Sequence, residues 1–407
     1  MNILFFSSVF FPAVGGAQVT LNEMATRLAN EDNNVTLVLP LGFYLKNFGS
    51  INKFNYSILP CLPFRFINWS AEGGKISSFL LTIYFLCIFK ILKIDLVQTF
   101  YIYPNGFVLD KICKIGNVTH VTRAVGDDIQ RSSSFSYGLI PKKHSSKLSN
   151  FFNSSNTIFL ALSDTVRKDF LNLTVPEKSI KHFPCGVDLE YFDKIIFSTD
   201  ERKELRSSLG VNCTDFLFIT VGRAHPKKGF DVLIKSLSDL RMTFEGKFKV
   251  LFVGPDMQQM ERLSKELGVR DLCIFYGTVS PAGNQAFKIP NEELVKLYKA
   301  SDACVFPSLL ETFALIYIEA MAAGLPVIGT DAPGCGELLS HNIDSLVAKA
   351  GDQVSLTNLM NLLSHDNFLR ERLKIEGRKM VQKHYDWDYL AKDISNFYVG
   401  LIKRQRK

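Results

Sequence analysis

The chain has 407 residues, of which 47% are hydrophobic and 21% charged, and its formal net charge at pH 7 is +7. This hydrophobic content is enough for a large core, and at roughly 150 residues per domain the length predicts two domains. The eight cysteines form no C-x-x-C motif and the seven histidines show no metal-ligand spacing. We therefore expect reduced thiols in a reducing compartment and no metal site.

The N-terminal residues are predicted to form a core strand. No basic segment precedes the first apolar run and no small-residue cleavage site follows it, which argues against a signal peptide. The most lipophilic stretch is residues 78–94. Its charge-free part is about twelve residues long, short of the roughly 20 that span a bilayer. We expect this stretch to form a buried or interfacial helix.

Positive charge is concentrated in residues 41–150, which hold 13 Lys and Arg against 5 Asp and Glu. A basic face of this kind attracts phosphates, nucleic acid or an anionic membrane surface. The solvated surface of a lysine-rich protein explains the same excess equally well. Charge alone therefore leaves the partner open.

Short apolar runs alternate with helical patterns along the whole chain. The runs are rich in Val, Ile and Phe and mostly lack alternation, as expected for strands buried on both faces of a parallel sheet. They predict strands at 3–6, 35–39, 96–100, 120–123, 157–162, 216–221, 249–253, 273–276, 303–306 and 326–329. Helical patterns at 18–30, 230–240, 292–300 and 316–323 fall between them. The alternation predicts an α/β fold with parallel sheets.

The pattern of strand, glycine-containing loop and helix begins twice, at residue 3 and again at residue 216. Between them, residues 186–202 carry the glycine and charged residues of a linker. We place the boundary within this linker, which predicts a first domain over residues 1–193 and a second over residues 194–386.

The second opening contains the segment VGRAHPKKGF. Gly222 permits a tight exit from the strand, and Arg223 follows at the strand's carboxyl end, where open α/β sheets bind ligands. Lys228 comes five residues later, so the two cations can converge on a diphosphate. A solvated basic loop is an equal alternative on this segment alone.

A second segment, FPSLLETFALIYIEAMAAGLPVIGT, combines two carboxylates with a predicted helix. Glu311 lies at the start of this helix and Glu319 two turns into it. The N–H groups of Phe313, Ala314 and Leu315 at the helix start suit a phosphate. A carboxylate within an apolar helix needs a partner, so Glu319 either forms a structural ion pair or binds ligand hydroxyls. A third segment, GTDAPGCGELL, is a glycine-rich turn at the same predicted sheet edge and is weak by itself.

In this order and at these separations, GRAHPKKG, PSLLETFALIYIEAMAAGLPVI and GCGELL resemble the donor-binding domain of the retaining glycosyltransferases with the GT-B fold, family 4. The opening FFPAVGGAQVTLNEMATRLANEDNNVTLVLP is similar to that family's N-terminal loop and first helix. The resemblance covers nearly the whole chain. It implies two Rossmann-like domains with parallel sheets facing across a cleft, an acceptor bound by the first domain, and a C-terminal helix over about 387–407 that packs back on the first domain.

The resemblance also implies roles for the matched residues of the second domain. Arg223 and Lys228 match the pair that holds the nucleotide diphosphate. Glu311 matches the carboxylate that contacts hydroxyls of the donor sugar, and Glu319 the one that binds the ribose. The backbone around Tyr276 is where such enzymes hold the base.

In the first domain, Gly15 and Gly16 match the loop that closes over the donor phosphates. The family often has histidine before Gly126, near the transferred sugar, whereas this chain has Val125. Asp127 or Asp128 could take over part of that role as a contact to the sugar or the acceptor. An exposed turn is an equal interpretation of these two residues.

The implied reaction is hexose transfer from a nucleotide-diphosphate sugar, the co-substrate, to an acceptor hydroxyl. We find no candidate nucleophile, so a front-face displacement fits retention better than a covalent intermediate. The only Asp-x-Asp match, DWD at 386–388, is far in sequence from the other motifs, so no metal or other cofactor is expected. Expected partners are the donor, a glycan or lipid-linked acceptor of polysaccharide assembly and an anionic membrane surface, but no nucleic acid. The expected location is cytoplasmic, with a peripheral position on the inner membrane face as an option.

Two other enzyme classes and one non-enzymatic role compete with this interpretation. The segment VGGAQV does not match the G-x-G-x-x-G fingerprint of an NAD-dependent oxidoreductase. A nucleotide-sugar 2-epimerase of the same fold and a catalytically weak glycosyltransferase-like partner subunit remain as alternatives.

Overall fold

A computed structural model describes residues 1–11, 15–61, 75–130, 145–154, 157–279 and 290–405, together with Ser132, Phe135 and Gly138. The chain divides into two units. Unit 1 is Met1–Cys185 with Trp387–Lys407, and unit 2 is Gly186–Asp386.

The described part of unit 1 contains a parallel seven-stranded sheet of order β3-β2-β1-β4-β5-β6-β7. Its strands are β1 (Asn2–Phe6), β2 (Asn34–Pro40), β3 (Ser57–Cys61), β4 (Leu96–Phe100), β5 (Thr119–Arg123), β6 (Ile158–Ala161) and β7 (Ile180–His182). Its first six helices are α1 (Gly16–Asn30), α2 (Leu41–Asn47), α3 (Lys75–Ile91), α4 (Phe107–Gly116), α5 (Ser145–Ser154) and α6 (Asp164–Asn172).

The described part of unit 2 contains a parallel six-stranded sheet of order β10-β9-β8-β11-β12-β13. Its strands are β8 (Phe216–Val221), β9 (Phe248–Val253), β10 (Cys273–Gly277), β11 (Ala303–Val305), β12 (Val327–Thr330) and β13 (Leu346–Ala348). Its helices are α7 (Leu189–Lys194), α8 (Thr199–Ser208), α9 (Phe230–Thr243), α10 (Gln258–Glu266), α11 (Glu292–Ala300), α12 (Leu315–Ala322), α13 (Gln353–His365) and α14 (Asn367–His384).

The central strands are buried along their length. Ile3, Leu4, Phe5 and Phe6 of β1 are all inaccessible to solvent. Because successive side chains of a strand point to opposite faces, the sheet must be covered on both faces. The prediction of an α/β fold with parallel sheets is therefore confirmed. The sequence pattern did not predict β3, β7 and β13, which are all edge strands.

The last helix, α15 (Trp387–Gln405), belongs to unit 1. Trp387 is buried, Asp388 pairs with Arg27 of α1 at 2.8 Å, and the Tyr398 hydroxyl hydrogen-bonds the buried Gln98 side chain of β4. These contacts attach the end of the chain to the sheet of unit 1.

The segment around the domain boundary is held by unit 2. The ammonium of Lys299 on α11 donates hydrogen bonds to the carbonyl oxygens of Phe192, at 2.8 Å, and Ile195, at 2.6 Å. Helix α7, which contains the predicted boundary at residue 193, thus lies within unit 2, whose first residue is Gly186.

Both sheets reverse their strand order beside their first strand, between β1 and β4 in unit 1 and between β8 and β11 in unit 2. In open α/β sheets, ligands bind at the carboxyl ends of the strands at such switch points. The loops that follow β8, β11 and β12 are therefore where a site is expected in unit 2.

Candidate functional site

Glycines allow the strands of unit 2 to end in close contact. Gly222 follows β8 with φ +149° and Gly254 follows β9 with φ +143°. A Cβ on Gly254 would lie 2.0 Å from the carbonyl oxygen of Gly222, so no larger residue fits there. The N–H of Gly254 donates to the carbonyl of Gly277 at 2.8 Å, which extends the contact to β10.

The turn after β8 carries three cations. Arg223 is exposed, with Nε 3.7 Å from Oδ2 of Asp256. Lys227 and Lys228 lie in a short 3₁₀ turn, Pro226–Lys228, that ends at Gly229 with φ +65°. A Cβ on Gly229 would lie 2.0 Å from the carbonyl oxygen of Pro307, so the turn rests directly on the loop after β11.

Glu311 lies in that loop and is almost fully buried, with 4% of its surface exposed. Its Oε1 is 2.5 Å from Nζ of Lys228 and 3.1 Å from Oγ of Ser308, and its Oε2 is 3.5 Å from Nζ of Lys227. Burial raises the pKa of this carboxyl group, but the two lysine charges and the hydrogen bonds outweigh it, and the pKa lies below its usual value. Glu311 is therefore a buried carboxylate held ionised by two cations.

The loop after β12 packs against the same carboxylate. A Cβ on Gly334 would lie 1.9 Å from the carbonyl oxygen of Glu311, and the Glu311 N–H donates to the carbonyl of Pro333 at 3.0 Å. Thr330 Oγ1 donates to the Ser308 carbonyl at 2.6 Å. The weak GCGELL motif is thus explained, because it supports the backbone of Glu311.

Helix α12 begins directly after Glu311, with Ala314 as the N-cap and Leu315 as its first residue. No side chain caps this end, and within the described part of the chain the N–H groups of Phe313 and Ala314 donate no hydrogen bond. The positive end of the helix and these N–H groups closely follow Glu311, whose carboxylate contacts both lysines, an arrangement suited to a phosphate.

Glu319 is half-buried on α12, and its Oε2 accepts a hydrogen bond from the Tyr298 hydroxyl at 3.0 Å. Burial raises the pKa of Glu319 to about 7, against the effect of this hydrogen bond. Among the described residues no cation lies within ion-pair distance of Glu319. The structural ion pair, which the sequence left as the alternative to a contact with ligand hydroxyls, is therefore not observed among these residues.

Tyr276 interrupts the pairing of β10 with β9. Phe275 pairs with Phe252 and Gly277 with Val253, so Tyr276 is the extra residue of a β-bulge. Its hydroxyl donates to Oε1 of Glu293 at 2.6 Å, and this hydrogen bond is the main reason that the pKa of Tyr276 rises to about 12.

In unit 1, Gly15 precedes α1 with φ −172°, an extended conformation open to any residue. Gly16 is the exposed first residue of α1, and neither glycine has a positive φ. A Cβ on Gly15 would lie 2.9 Å from Oε1 of Gln18, the end of a flexible side chain. The local backbone therefore does not demand glycine here, and their role toward a ligand stays a prediction.

Asp127 and Asp128 differ sharply in their surroundings. Asp128 is fully buried and accepts hydrogen bonds from the N–H groups of Ile102, Val125 and Gly126 at 2.7, 2.9 and 2.7 Å. Burial raises the pKa of Asp128 to about 6, although these bonds oppose the rise. Its Oδ1 holds the backbone of its own turn and its Oδ2 holds the segment after β4, whereas Asp127 is half-buried.

The structure adds Lys227, Ser308 and Tyr298 to the predicted site. Lys227 was visible in the sequence only as the neighbour of Lys228. Ser308 and Tyr298 carry no local signal, because their relevance comes from contacts across strand ends and between helices.

The described residues hold neither a cluster of metal ligands nor a membrane-spanning helix. No group of three or more His, Cys, Asp or Glu side chains is placed to hold a metal ion among them. In the same residues no helix has the length and apolar character needed to cross a membrane.

Comparisons with known proteins agree with this geometry. Residues 201–380 match the family model of glycosyl transferases group 1. An uncharacterized glycosyltransferase of Methanocaldococcus jannaschii is 25% identical over 95% of this chain and 94% of its own length. The GDP-mannose-dependent alpha-(1-6)-phosphatidylinositol monomannoside mannosyltransferase of Mycobacterium tuberculosis is 26% identical, over 59% of this chain and 60% of its own length. The alpha-monoglucosyldiacylglycerol synthase of Streptococcus pneumoniae is 22% identical over 84% of this chain and 74% of its own length.

Two solved structures share the fold. A glycosyltransferase from Rickettsia africae has a TM-score of 0.80 at 18% identity and covers 99% of both chains. The Anabaena protein HepE in complex with UDP has a TM-score of 0.76 at 18% identity, over 98% of this chain and 100% of its own. At this identity the likeness concerns the fold alone.

Proposed function

We propose that this chain, which belongs to the group 1 glycosyltransferases with a GT-B fold, is a retaining hexosyltransferase that transfers sugar from a nucleotide-diphosphate donor to a lipid-linked glycan. The observation that carries the proposal is the Glu311 carboxylate, held ionised by two lysines beside the uncapped start of α12. Cations for a diphosphate and carboxylates for hydroxyl groups thus share one switch point of unit 2.

The donor is proposed to bind through its diphosphate and its hydroxyls. Arg223, Lys228 and the N–H groups at the start of α12 face a diphosphate, and Glu319 accepts hydrogen bonds from the ribose. The bulge at Tyr276 leaves backbone groups unpaired near the end of β10, where a base can hydrogen-bond. The structure of HepE with UDP supports a nucleotide-sugar donor.

The reaction breaks the bond between C1 of the sugar and the phosphate oxygen, and the electron pair stays on that oxygen. The acceptor oxygen bonds C1 on the same face, and its proton passes to the departing phosphate. Fixed cations and N–H groups stabilise the charge that develops on the phosphate. The oxygens of Glu311 are occupied by Lys227, Lys228 and Ser308, which supports a direct displacement over a covalent Glu311 intermediate.

The acceptor and the location are proposed from the surface of α3. Phe79, Ile83 and Ile91 of this helix are exposed, at 64%, 44% and 75%, and Lys90 and Lys93 are exposed beside them. An apolar surface bordered by lysines suits an anionic membrane, here the inner face of the cytoplasmic membrane. The names of two relatives, which act on a phosphatidylinositol mannoside and form a glucosyldiacylglycerol, support a lipid-linked acceptor.

The function is tested by screening the purified protein against nucleotide sugars, with donor hydrolysis and thermal shift as readouts. We expect one donor to be hydrolysed slowly, and Arg223→Ala and Glu319→Ala each to reduce the rate by about 100-fold or more. Arg241→Ala, at an exposed arginine of α9, serves as the control. Normal rates in either site variant would remove that residue from the site, and isomerisation of a nucleotide sugar without its cleavage would indicate a 2-epimerase.

A further inference from the structure

Glu311 is bound by two lysines, although the proposed function uses only Lys228 for the diphosphate. The two lysines contact different oxygens, Lys228 at Oε1 and Lys227 at Oε2. A donor diphosphate carries about two negative charges, so it will compete with Glu311 for the ammonium of Lys228. Some other group must then keep the buried carboxylate ionised.

We propose that Lys227 is a positioning residue, which holds Glu311 ionised and in place toward the donor sugar while Lys228 binds the diphosphate. This inference rests on the proposed function and assigns separate tasks to two adjacent lysines.

Lys227 is anchored on both its backbone and its side chain. Its carbonyl accepts a hydrogen bond from the Leu309 N–H at 2.7 Å and lies 2.9 Å from Oγ of Ser308, so it is fixed to the loop that carries Glu311. Its side chain is 12% exposed, whereas that of Lys228 is 21% exposed and lies over the Phe306 ring at 5.0 Å. The geometry therefore points to Lys228 as the cation nearer to solvent and to Lys227 as the fixed one.

Several titratable groups of the described residues act on Glu311. They include His225, Lys227 and Lys228 of the turn after β8 and the buried Cys335 thiol of the loop after β12. The pKa of His225 is lowered by burial and by the neighbouring cations, so this ring is neutral near pH 7. Without Lys227, and with Lys228 on the diphosphate, the buried carboxylate loses both of these ion pairs and takes up a proton more readily.

The experiment compares Lys227→Met, Lys227→Arg and Lys228→Met with Lys235→Met, an exposed lysine of α9 that pairs with Asp231. The donor is the nucleotide sugar that the unaltered protein hydrolyses fastest in the screen, and binding of its nucleoside diphosphate is measured by calorimetry. Hydrolysis is followed as kcat and KM from pH 5 to pH 9.

For Lys227→Met we expect kcat at pH 7 to fall about tenfold or more, and nucleoside-diphosphate affinity to change less than about threefold. The acid limb of the kcat profile moves to a pH about 1 to 2 higher, because a neighbouring positive charge is lost. In Lys227→Arg both kcat and the pH of the acid limb should return to the values of the unaltered protein. Lys228→Met should instead weaken nucleoside-diphosphate binding.

An unchanged acid limb in Lys227→Met, or a loss of nucleoside-diphosphate affinity as large as that of Lys228→Met, would overturn the inference while leaving the glycosyltransferase function intact. Failure of the unaltered protein to hydrolyse any donor would overturn the proposed function itself, and this inference with it.

Discussion

Both units bury a carboxylate in a loop after a strand, Asp128 after β5 and Glu311 after β11, and the two are stabilised in opposite ways. Asp128 in unit 1 is held by three backbone N–H groups, whereas Glu311 in unit 2 is held by two lysines. Burial raises the pKa of Asp128 to about 6, while the lysine charges lower the pKa of Glu311 despite its burial. Backbone donors fix a turn permanently, but ammonium groups on flexible chains can be transferred to a ligand. From this comparison we propose a stabilising role for Asp128 and a functional role for Glu311.

The largest expected effect is on activity at Glu311. Glu311→Gln removes the charge but keeps the shape, so we expect donor hydrolysis and transfer to fall by about 100- to 1,000-fold. The unfolding temperature also falls, because two mostly buried lysines lose their anionic partner. The hydrolysis rates of Glu311→Gln and Asp128→Asn are measured on folded, purified protein. A rate loss in Glu311→Gln no larger than that in Asp128→Asn would contradict the comparison of the two carboxylates.

The next effect is on stability at Asp128. In Asp128→Asn the amide nitrogen replaces an oxygen that accepts a backbone N–H, so we expect the free energy of unfolding to fall by about 1 to 3 kcal/mol. Urea denaturation followed by circular dichroism measures the loss. Asp127→Asn, at the half-buried neighbour, is the matched control and should lose less. An Asp128→Asn variant as stable as the unaltered protein would show that the turn does not depend on these bonds.

The pH dependence of stability should have opposite signs at the two carboxylates. The folded-state pKa of Asp128, about 6, exceeds the usual value of 3.8, so its stabilisation is complete below pH 3.8 and is lost as the pH rises through 6. The stability difference between the unaltered protein and Asp128→Asn should therefore be about 1 kcal/mol larger at pH 5 than at pH 7.5.

Glu311 has a lowered pKa, so its contribution is present above 4.5, the usual value, and is lost as the pH falls below it. The stability difference between the unaltered protein and Glu311→Gln should shrink between pH 6 and pH 4. Denaturation curves at these pH values measure both stability differences. If both differences change in the same direction with pH, the two carboxylates are not stabilised in opposite ways.

The smallest expected effect concerns the surface of unit 1. Phe79→Ser should weaken binding to phosphatidylglycerol vesicles at low salt by about tenfold, because an exposed aromatic side chain is lost, and should not change activity on a soluble donor. Phe368→Ser, at an exposed phenylalanine of α14 in unit 2, is the control. Co-sedimentation measures the binding, and equal binding to neutral phosphatidylcholine vesicles would argue against an anionic partner.

The elements that could be predicted were those with strong local patterns. All ten predicted strands are present, because each carries a short apolar run. Nine of them lie inside a sheet, where both faces are buried, and β10 lies at an edge. The missed strands β3, β7 and β13 are short edge strands, and β3 includes Pro60. Edge strands need neither a long apolar run nor every ladder hydrogen bond, so their sequences resemble loops.

By itself, the sequence determined the α/β alternation and the two parallel sheets, since periodicity is a local property. It also predicted site residues that follow glycine-rich strand ends, and their role stays a prediction. Only the tertiary structure decided which side chains meet. The order of the strands places Lys227 and Lys228 against Glu311, and the tertiary arrangement brings Tyr298 of α11 within hydrogen-bond distance of Glu319 of α12. Burial also distinguished the adjacent Asp127 and Asp128, because a carboxylate's role depends on the groups that replace water around it.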